Sequence, residues 1–212
     1  MNKKTISIPK PILKWVGGKT QILHELIESF PKNMSNYHEI FLGGGSVLIG
    51  LLMQIKQKSI KIDGNIYAYD LNEQLINMYK NIQSNHSELY DVIQILIKEY
   101  NECAEPIENS ESEKKPRKVW SSLKDEDKIK SKEHYYYWIR QKYNKMNINE
   151  KNSVNGSSIF IFLNKTCFRG LFRMGPNGFN VPYGNYKNPE IVNKEHLELI
   201  SSLIKDVIFE SK

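Results

Sequence analysis

The sequence has little cysteine and no long apolar run, and both absences narrow the class of protein. Only two of its 212 residues are cysteines, Cys103 and Cys167, which is too few for a disulfide framework or a cysteine-based metal cluster. No window reaches the roughly 18 apolar residues that a membrane-spanning helix needs, and the N-terminus lacks the apolar stretch of a signal peptide. We therefore expect an intracellular, cytoplasmic protein with reduced thiols, no metal and no membrane partner.

Acidic residues are also fewer than basic ones, 24 against 30. The formal net charge is +6 and the isoelectric point is about 9.1, while 40% of the residues are hydrophobic, enough for a sizeable core. A basic balance of this size favours a polyanionic partner, although many basic proteins bind no nucleic acid.

The beginning of the chain alternates between helical and strand-like patterns. Residues 22–30 carry an apolar helical stripe, 37–42 form a strand pattern, 47–55 a buried helix and 64–70 a second strand. Near the other end, 206–210 again has the pattern of a strand. This alternation predicts a doubly wound α/β sheet.

The middle of the chain has a different character. Residues 87–100 and 134–144 have helical patterns, whereas 103–133 is highly charged and aperiodic, which indicates a solvated loop or insertion. The apolar segment 157–166 fits either a strand or a helix. Its successor, 168–189, contains Gly-Pro and Asn-Gly pairs and is predicted to be a turn-rich hairpin or loop.

Two glycine-rich loops are candidates for ligand binding. The stretch LKWVGGKT ends like a phosphate-binding loop, but Leu13 stands where the first glycine is needed and Pro11 interrupts the preceding strand. A triphosphate site is therefore disfavoured, and a glycine turn before a helix is the simple alternative.

The second loop, EIFLGGGSVL, is a stronger signal. A strand runs into three glycines, which let a backbone approach a ligand closely, and Ser46 then has the position of a helix cap. Asp70 ends the next strand, where an acidic residue accepts hydrogen bonds from a ribose. Together these features indicate an adenosine-containing cofactor, either NAD or S-adenosylmethionine. Leu48 departs from the G-x-G-x-x-G pattern and disfavours a dinucleotide.

Five segments, in this order, carry a resemblance to a known family: LKWVGGKTQIL, EIFLGGGSVL, AYDLNEQLINMY, YYYWIRQKYN and FLNKTCFRGLFRMGPNGFNVPYGNYKNP. The chain resembles the Dam-type (D12 class) adenine-specific DNA methyltransferases over nearly its whole length, outside roughly 103–133. The resemblance implies an α/β, Rossmann-like, S-adenosylmethionine-dependent methyltransferase fold with an incomplete sheet, interrupted by an inserted, mainly helical DNA-recognition domain that carries a hairpin.

The resemblance also implies domains and cofactor contacts. Residues 1–72 would be the cofactor-binding part, 73–189 the target-recognition domain, and 190–212 a return to the methyltransferase sheet. An indole face suits a sulfonium cation, and an ammonium group suits the carboxylate of S-adenosylmethionine. The implied cofactor-binding residues are Trp15, Lys19, Phe41, Gly43, Gly45 and Asp70.

Double-stranded DNA is the implied macromolecular partner. In the family, side chains enter the DNA at the positions of Phe168 and Arg169, and an arginine at the position of Arg173 contacts bases. Many members have asparagine where this chain has Arg169, so the base contacts here are expected to differ. The implied DNA-binding residues are Lys165, Phe168, Arg169, Arg173 and Lys187.

The catalytic residues stay unknown, because the D-P-P-Y motif of the family is absent from the sequence. The nearest string, NVPYG at 180–184, lacks the second proline and belongs to the hairpin segment. We expect either a methyltransferase that needs a second polypeptide carrying the motif, or a catalytically inactive DNA-binding or cofactor-binding remnant. An NAD or ATP enzyme is a third, disfavoured possibility.

Overall fold

The structure is a computed structural model, and it describes residues 8–104 and 123–212. The chain divides into two compact units. The first unit comprises the described residues up to His86 together with Asn193–Lys212, and the second comprises the described residues from Ser87 to Val192. Within the described ranges, no helix combines the length and the apolarity that crossing a membrane requires.

A parallel three-stranded sheet organises the first unit. Strand β4 (Ile66–Tyr69) lies between β2 (Tyr37–Glu39) and β7 (Val207–Glu210). Tyr37 is in register with Ile66, and Ile66 with Val207. Two shorter strands, β1 (Asn33–Met34) and β3 (Lys61–Ile62), pair in parallel beside each other. The predicted strands at 37–42, 64–70 and 206–210 are thus confirmed, each in shorter form.

Helices pack on this sheet through their apolar faces, which are buried as a result. A short 3-10 turn (Thr20–Ile22) leads into α1 (Leu23–Glu28), and α2 (Ser46–Lys56) and α7 (Lys194–Ile204) follow. Leu23, Ile27 and Leu51 form a buried cluster. Gly50 makes this packing possible, since a Cβ there would lie 3.1 Å from the Leu23 side chain.

The segment α3 (Glu73–Asn101) is helical on both sides of a kink at Asn85, whose backbone angles are non-helical (φ −136°, ψ 30°). It contains the helical pattern predicted at 87–100. The Gln83 amide donates to the carbonyls of Ile204 (2.7 Å) and Val207 (2.9 Å), so it fixes the end of α7 and the start of β7.

The second unit is mainly helical within its described part. Besides the end of α3, its helices are α4 (Lys132–Lys145), α5 (Ile148–Asn152) and α6 (Val154–Thr166). The ambiguous segment 157–166 is therefore helical, and it is buried on nearly every side. Helix α4 has its aromatic residues in the core: Tyr135, Tyr136, Tyr137, Trp138 and Tyr143 are all buried.

The prediction of an aperiodic loop over 103–133 is wrong in part. Most of that segment, 105–122, lies outside the described residues. Beyond it, Asp125–Lys130 forms a 3-10 helix. Carboxylates stabilise it, because Asp127 accepts from the Lys124 backbone N–H (2.9 Å) and Asp125 accepts from the Trp138 indole (2.9 Å).

A short antiparallel hairpin follows α6. Strands β5 (Met174–Gly175) and β6 (Gly178–Phe179) pair with Met174 opposite Phe179. The Asn144 side chain on α4 donates to the Phe179 carbonyl (2.9 Å) and accepts from the Phe179 N–H (2.8 Å). One amide side chain thus takes the place of a neighbouring strand and fixes the hairpin against α4.

Candidate functional site

The two glycine loops of the first unit meet at Trp15. A Cβ on Gly43 would lie 3.0 Å from the indole Cδ1 of Trp15, and a Cβ on Gly44 only 2.9 Å from the Trp15 Cβ. Glycine is therefore required where the second loop passes the half-buried indole. The structure brings together the loops that carry Trp15 and Gly43, two of the residues predicted to bind a cofactor.

Ser46 has a different role from the predicted helix cap. The N-cap of α2 is Gly45, whose φ of 72° requires left-handed backbone, and no side chain caps the helix there. The Ser46 hydroxyl instead accepts a hydrogen bond from the Lys19 backbone N–H (3.2 Å). It therefore links the first glycine loop to the helix that follows the second.

Asp70 fixes the second glycine loop from the end of β4. One carboxylate oxygen accepts from the Gly43 N–H (3.0 Å) and the other from the Asn72 N–H (2.9 Å). Hydrogen bonds to a carboxylate are charge-assisted and stronger than neutral ones. Each oxygen retains acceptor capacity, so the carboxylate can hold the loop and also accept from a ligand hydroxyl.

Tyr79 is a further residue of this site, and sequence reasoning recognised it only as part of an apolar stripe. Its ring is fully buried and stacks on Phe209 at 5.4 Å, and its hydroxyl donates to the Gly44 carbonyl (2.8 Å). Burial, followed by the nearby Asp70 carboxylate, raises the pKa of Tyr79. A Cβ on Gly45 would lie 2.5 Å from the Tyr79 hydroxyl oxygen, so a side chain at position 45 would clash with this ring.

Glu39 and Tyr37 form a second pair that the sequence did not reveal. The Tyr37 hydroxyl donates to the Glu39 carboxylate at 2.5 Å, on the strand that leads into the second loop. Burial raises the pKa of Glu39, and the hydrogen bond from Tyr37 opposes that rise. A carboxylate that is costly to ionise therefore lies four residues before Gly43.

The remaining predicted cofactor residues are at the surface. Phe41 is 84% exposed, and Lys19 is exposed with its ammonium group 2.8 Å from the Gly17 carbonyl. The site therefore offers an exposed aromatic ring, an ammonium group, a carboxylate and glycine backbone where side chains have no room. This donor set, at the ends of parallel strands, defines the class as an α/β protein with a candidate site for a nucleoside-containing cofactor.

In the second unit, a tight turn displays two of the predicted DNA-binding residues. The Phe168 N–H donates to the Pro182 carbonyl (2.9 Å), and the Asn164 amide donates to the Gly170 carbonyl (3.0 Å). Arg169 has left-handed backbone (φ 56°), and its N–H donates to the Tyr186 hydroxyl (2.9 Å). Phe168 and Arg169 are exposed side by side, with the guanidinium 5.1 Å from the ring centre.

The other predicted DNA-binding residues surround the hairpin. Exposed Arg173 precedes β5, and its guanidinium donates to the Asn180 side chain (2.6 Å) and to the Asn180 carbonyl (3.3 Å). Lys165 is partly buried near the end of α6, whereas Lys187 is exposed beyond the hairpin. The structure thus pre-orients Arg173 more firmly than Lys187.

The NVPYG string at 180–184 has a structural role. Val181 is fully buried, and its carbonyl accepts from both Tyr136 (2.8 Å) and Arg140 (2.9 Å). The Tyr183 hydroxyl is bonded to the Tyr100 hydroxyl (2.6 Å). These side chains are engaged in packing, in agreement with the exclusion of this string as a catalytic motif.

Comparison with known proteins identifies the family. Residues 15–212 match the family of D12 class N6 adenine-specific DNA methyltransferases. The chain belongs to this family, as its sequence motifs indicate.

Among similar proteins, Type II methyltransferase M.MjaIII of Methanocaldococcus jannaschii is 39% identical over 208 residues, covering 93% of this chain and 60% of its own length. Type II methyltransferase M1.LlaDCHI of Lactococcus lactis subsp. cremoris is 28% identical, covering 97% and 58%. The retron Ec67 DNA adenine methylase of Escherichia coli is 30% identical, covering 87% and 50%. The chain thus spans about half to three fifths of the length of these relatives.

Proposed function

We propose that this chain binds S-adenosylmethionine on its two glycine loops and takes part in methylating the 6-amino group of adenine in duplex DNA. The observation that carries the proposal is the convergence of Trp15, the Gly43–Gly45 loop and Asp70 at one place in a chain of this family. Its relatives include a Type II methyltransferase and a DNA adenine methylase, and the proposed activity agrees with these names.

The residues present suit the cofactor. The Trp15 indole offers a π-face to a sulfonium cation, the Lys19 ammonium is a partner for a carboxylate, and Asp70 accepts from ribose hydroxyls. The exposed Phe41 ring can cover an adenine. When bound, S-adenosylmethionine supplies the methyl group, and the protein contributes by aligning donor and acceptor atoms.

We infer that the second unit is the target-recognition domain. An adenine inside a duplex must be flipped out before its amino group can react, at a cost of a few kcal/mol. Phe168 is an exposed apolar ring on a rigid turn, suited to fill the space that such a base vacates. Arg173 is held by Asn180 and can read guanine with two hydrogen bonds in the major groove. Lys165, Arg169 and Lys187 supply positive charge for phosphates.

Calorimetry with S-adenosylmethionine tests the cofactor half of the proposal. We expect binding that Trp15→Ala and Asp70→Ala weaken, whereas Lys58→Ala, remote in sequence from both loops, leaves it unchanged. Binding of NAD or ATP that S-adenosylmethionine does not displace would instead indicate a different cofactor class.

Transfer of a labelled methyl group to duplex DNA tests the activity. Because the sequence lacks D-P-P-Y, we propose that transfer requires a polypeptide segment carrying that motif. The assay therefore compares this chain alone with this chain plus the corresponding segment of M.MjaIII.

The second candidate, which the sequence analysis left open, is a protein that binds cofactor and DNA without transferring a methyl group. Cofactor and DNA binding with no transfer under either condition would support this candidate. Rapid transfer by the chain alone would show that it has catalytic groups other than D-P-P-Y.

A further inference from the structure

A basic groove lies between helix α4 and the hairpin, within the second unit. Its volume is about 940 Å³, and α4, Lys151 and the segment from Arg173 to Pro182 line it. Four of its lining residues are cationic: Arg140, Lys145, Lys151 and Arg173. No carboxylate is among the described residues that line it. Of these four cations, only Arg173 was predicted to bind DNA.

One acidic residue beside the lining belongs to a helix cap. Glu150 precedes Lys151 in sequence, and its carboxylate accepts from the Asn147 N–H at 2.7 Å as part of the capping box of α5. The positive charge of the groove is therefore not offset by a carboxylate in its lining. Such a concentration of one sign attracts a polyanion.

The chemical groups that line the groove favour phosphates over bases. Tyr137 and Phe179 contribute aromatic atoms to the lining, but both are buried, at 8% and 3% exposure. The Arg140 guanidinium covers the Tyr137 ring at 4.5 Å from its centre. No open aromatic face is thus available for stacking a base among the described lining residues, and the groove offers mainly ammonium, guanidinium and amide donors.

The groove is also rigid on its hairpin side. Asn144 makes two hydrogen bonds to Phe179, and a Cβ on Gly178 would lie 2.5 Å from the Asn144 side-chain oxygen. The backbone of α4 therefore keeps a fixed distance from the hairpin. Lys145 and Lys151 differ from Arg173, because their ammonium groups on flexible stems neutralise phosphate without selecting a base.

We propose that Lys145 and Lys151 form a sequence-independent anchor for the phosphate backbone of duplex DNA in this groove. This inference rests on the proposed function, in which the second unit binds DNA, and it assigns different roles to Arg173 and to the two lysines. Arg173 reads base edges, whereas the two lysines supply affinity that is the same for every sequence.

Salt dependence of DNA binding tests the anchor, because each neutralised phosphate contributes roughly 0.9 to the slope of log affinity against log salt. Fluorescence anisotropy with a labelled duplex compares the wild type with Lys145→Gln/Lys151→Gln. We expect the slope to fall by about 2 and the affinity at about 0.1 M salt to fall between tenfold and a hundredfold. The loss should be equal across a panel of duplex sequences.

Matched variants separate the anchor from general charge. Lys98→Gln/Lys142→Gln removes the same charge from the same unit outside the groove, where Lys142 lies over the Trp138 ring at 4.2 Å, and we expect a much smaller change in slope. Lys145→Arg/Lys151→Arg keeps the charge and should keep the slope. Circular dichroism of each variant verifies folding.

Two results would overturn the inference in distinguishable ways. If the wild type binds duplex DNA and Lys145→Gln/Lys151→Gln retains its slope, or loses no more than the control pair, the anchor is refuted and the proposed function stands. If the wild type shows no salt-dependent binding to duplex DNA, the anchor fails together with the DNA-binding half of the proposed function.

Discussion

The contact between Gly45 and Tyr79 makes a quantitative prediction about the second glycine loop. An alanine at 45 needs left-handed backbone, which costs an L-residue about 1–2 kcal/mol. Its Cβ would also lie 2.5 Å from the Tyr79 hydroxyl oxygen. Moving that ring breaks the buried bond to the Gly44 carbonyl, and leaving such groups unsatisfied costs about 1–3 kcal/mol. We expect Gly45→Ala to lower the free energy of unfolding by about 2–5 kcal/mol.

Gly17 provides the matched control. Its φ is 78°, close to the 72° of Gly45, and a Cβ there meets nothing within 4 Å. Gly17→Ala therefore pays only the backbone cost, about 1–2 kcal/mol, and the effect of alanine on the unfolded chain is common to both variants. Urea unfolding followed by circular dichroism measures the two values, and their difference isolates the clash with Tyr79.

A double variant makes the test sharper. Tyr79→Phe removes the atom that the new methyl group would meet, so Gly45→Ala should cost less in that background than in the wild type. Equal destabilisation by Gly17→Ala and Gly45→Ala, or strict additivity of Gly45→Ala and Tyr79→Phe, would refute the reasoning.

Three further predictions concern single residues. Asp70→Ala removes charge-assisted bonds to two backbone N–H groups, so we expect a loss of about 2–4 kcal/mol in urea unfolding; an unchanged stability would contradict the bracing role. Arg169→Asn places a residue that tolerates left-handed backbone at φ 56°, so stability should rise by up to about 1 kcal/mol while affinity for duplex DNA falls; a lower melting temperature would argue against backbone strain. Burial raises the pKa of Glu39 in the folded protein, so the folded protein binds the carboxyl proton more tightly than the unfolded chain does. The free energy of unfolding therefore falls as the pH rises from the ordinary carboxyl pKa toward the raised pKa. Glu39→Gln should therefore be more stable than the wild type at neutral pH, with the advantage shrinking below about pH 4; a pH-independent difference in urea midpoint would exclude this explanation.

Sequence patterns located the elements of the fold because local periodicity determines them. Strands β2, β4 and β7 and helices α2 and α4 follow from apolar spacing and glycine boundaries. The segment 157–166 stayed ambiguous because α6 is buried on nearly every side, and a uniformly apolar segment has no periodicity to read. The 3-10 helix at Asp125–Lys130 was missed because its stability comes from side-chain bonds, including one to Trp138 on another element.

The candidate site was only partly accessible to the same reasoning. Glycine runs and Asp70 predicted a ligand-binding loop, because glycine permits close backbone approach and an acidic residue at a strand end can accept from a ribose. The hydrogen bond from Tyr79 to Gly44 joins positions 35 apart, and the one from Lys19 to Ser46 joins positions 27 apart. Contacts of this kind depend on how the elements pack, and no local pattern encodes them.

The pairing of Asn144 with Phe179 has a consequence for how target preference can change. A pair of two-residue strands has few hydrogen bonds of its own, but here the Asn144 amide on helix α4 adds two hydrogen bonds to Phe179. If the hairpin contacts DNA as proposed, substitutions at its exposed tip, Pro176 and Asn177, alter the contacted surface without removing the bonds that hold the hairpin. On the proposed function, substitutions at the tip can therefore change specificity as long as position 144 keeps its amide.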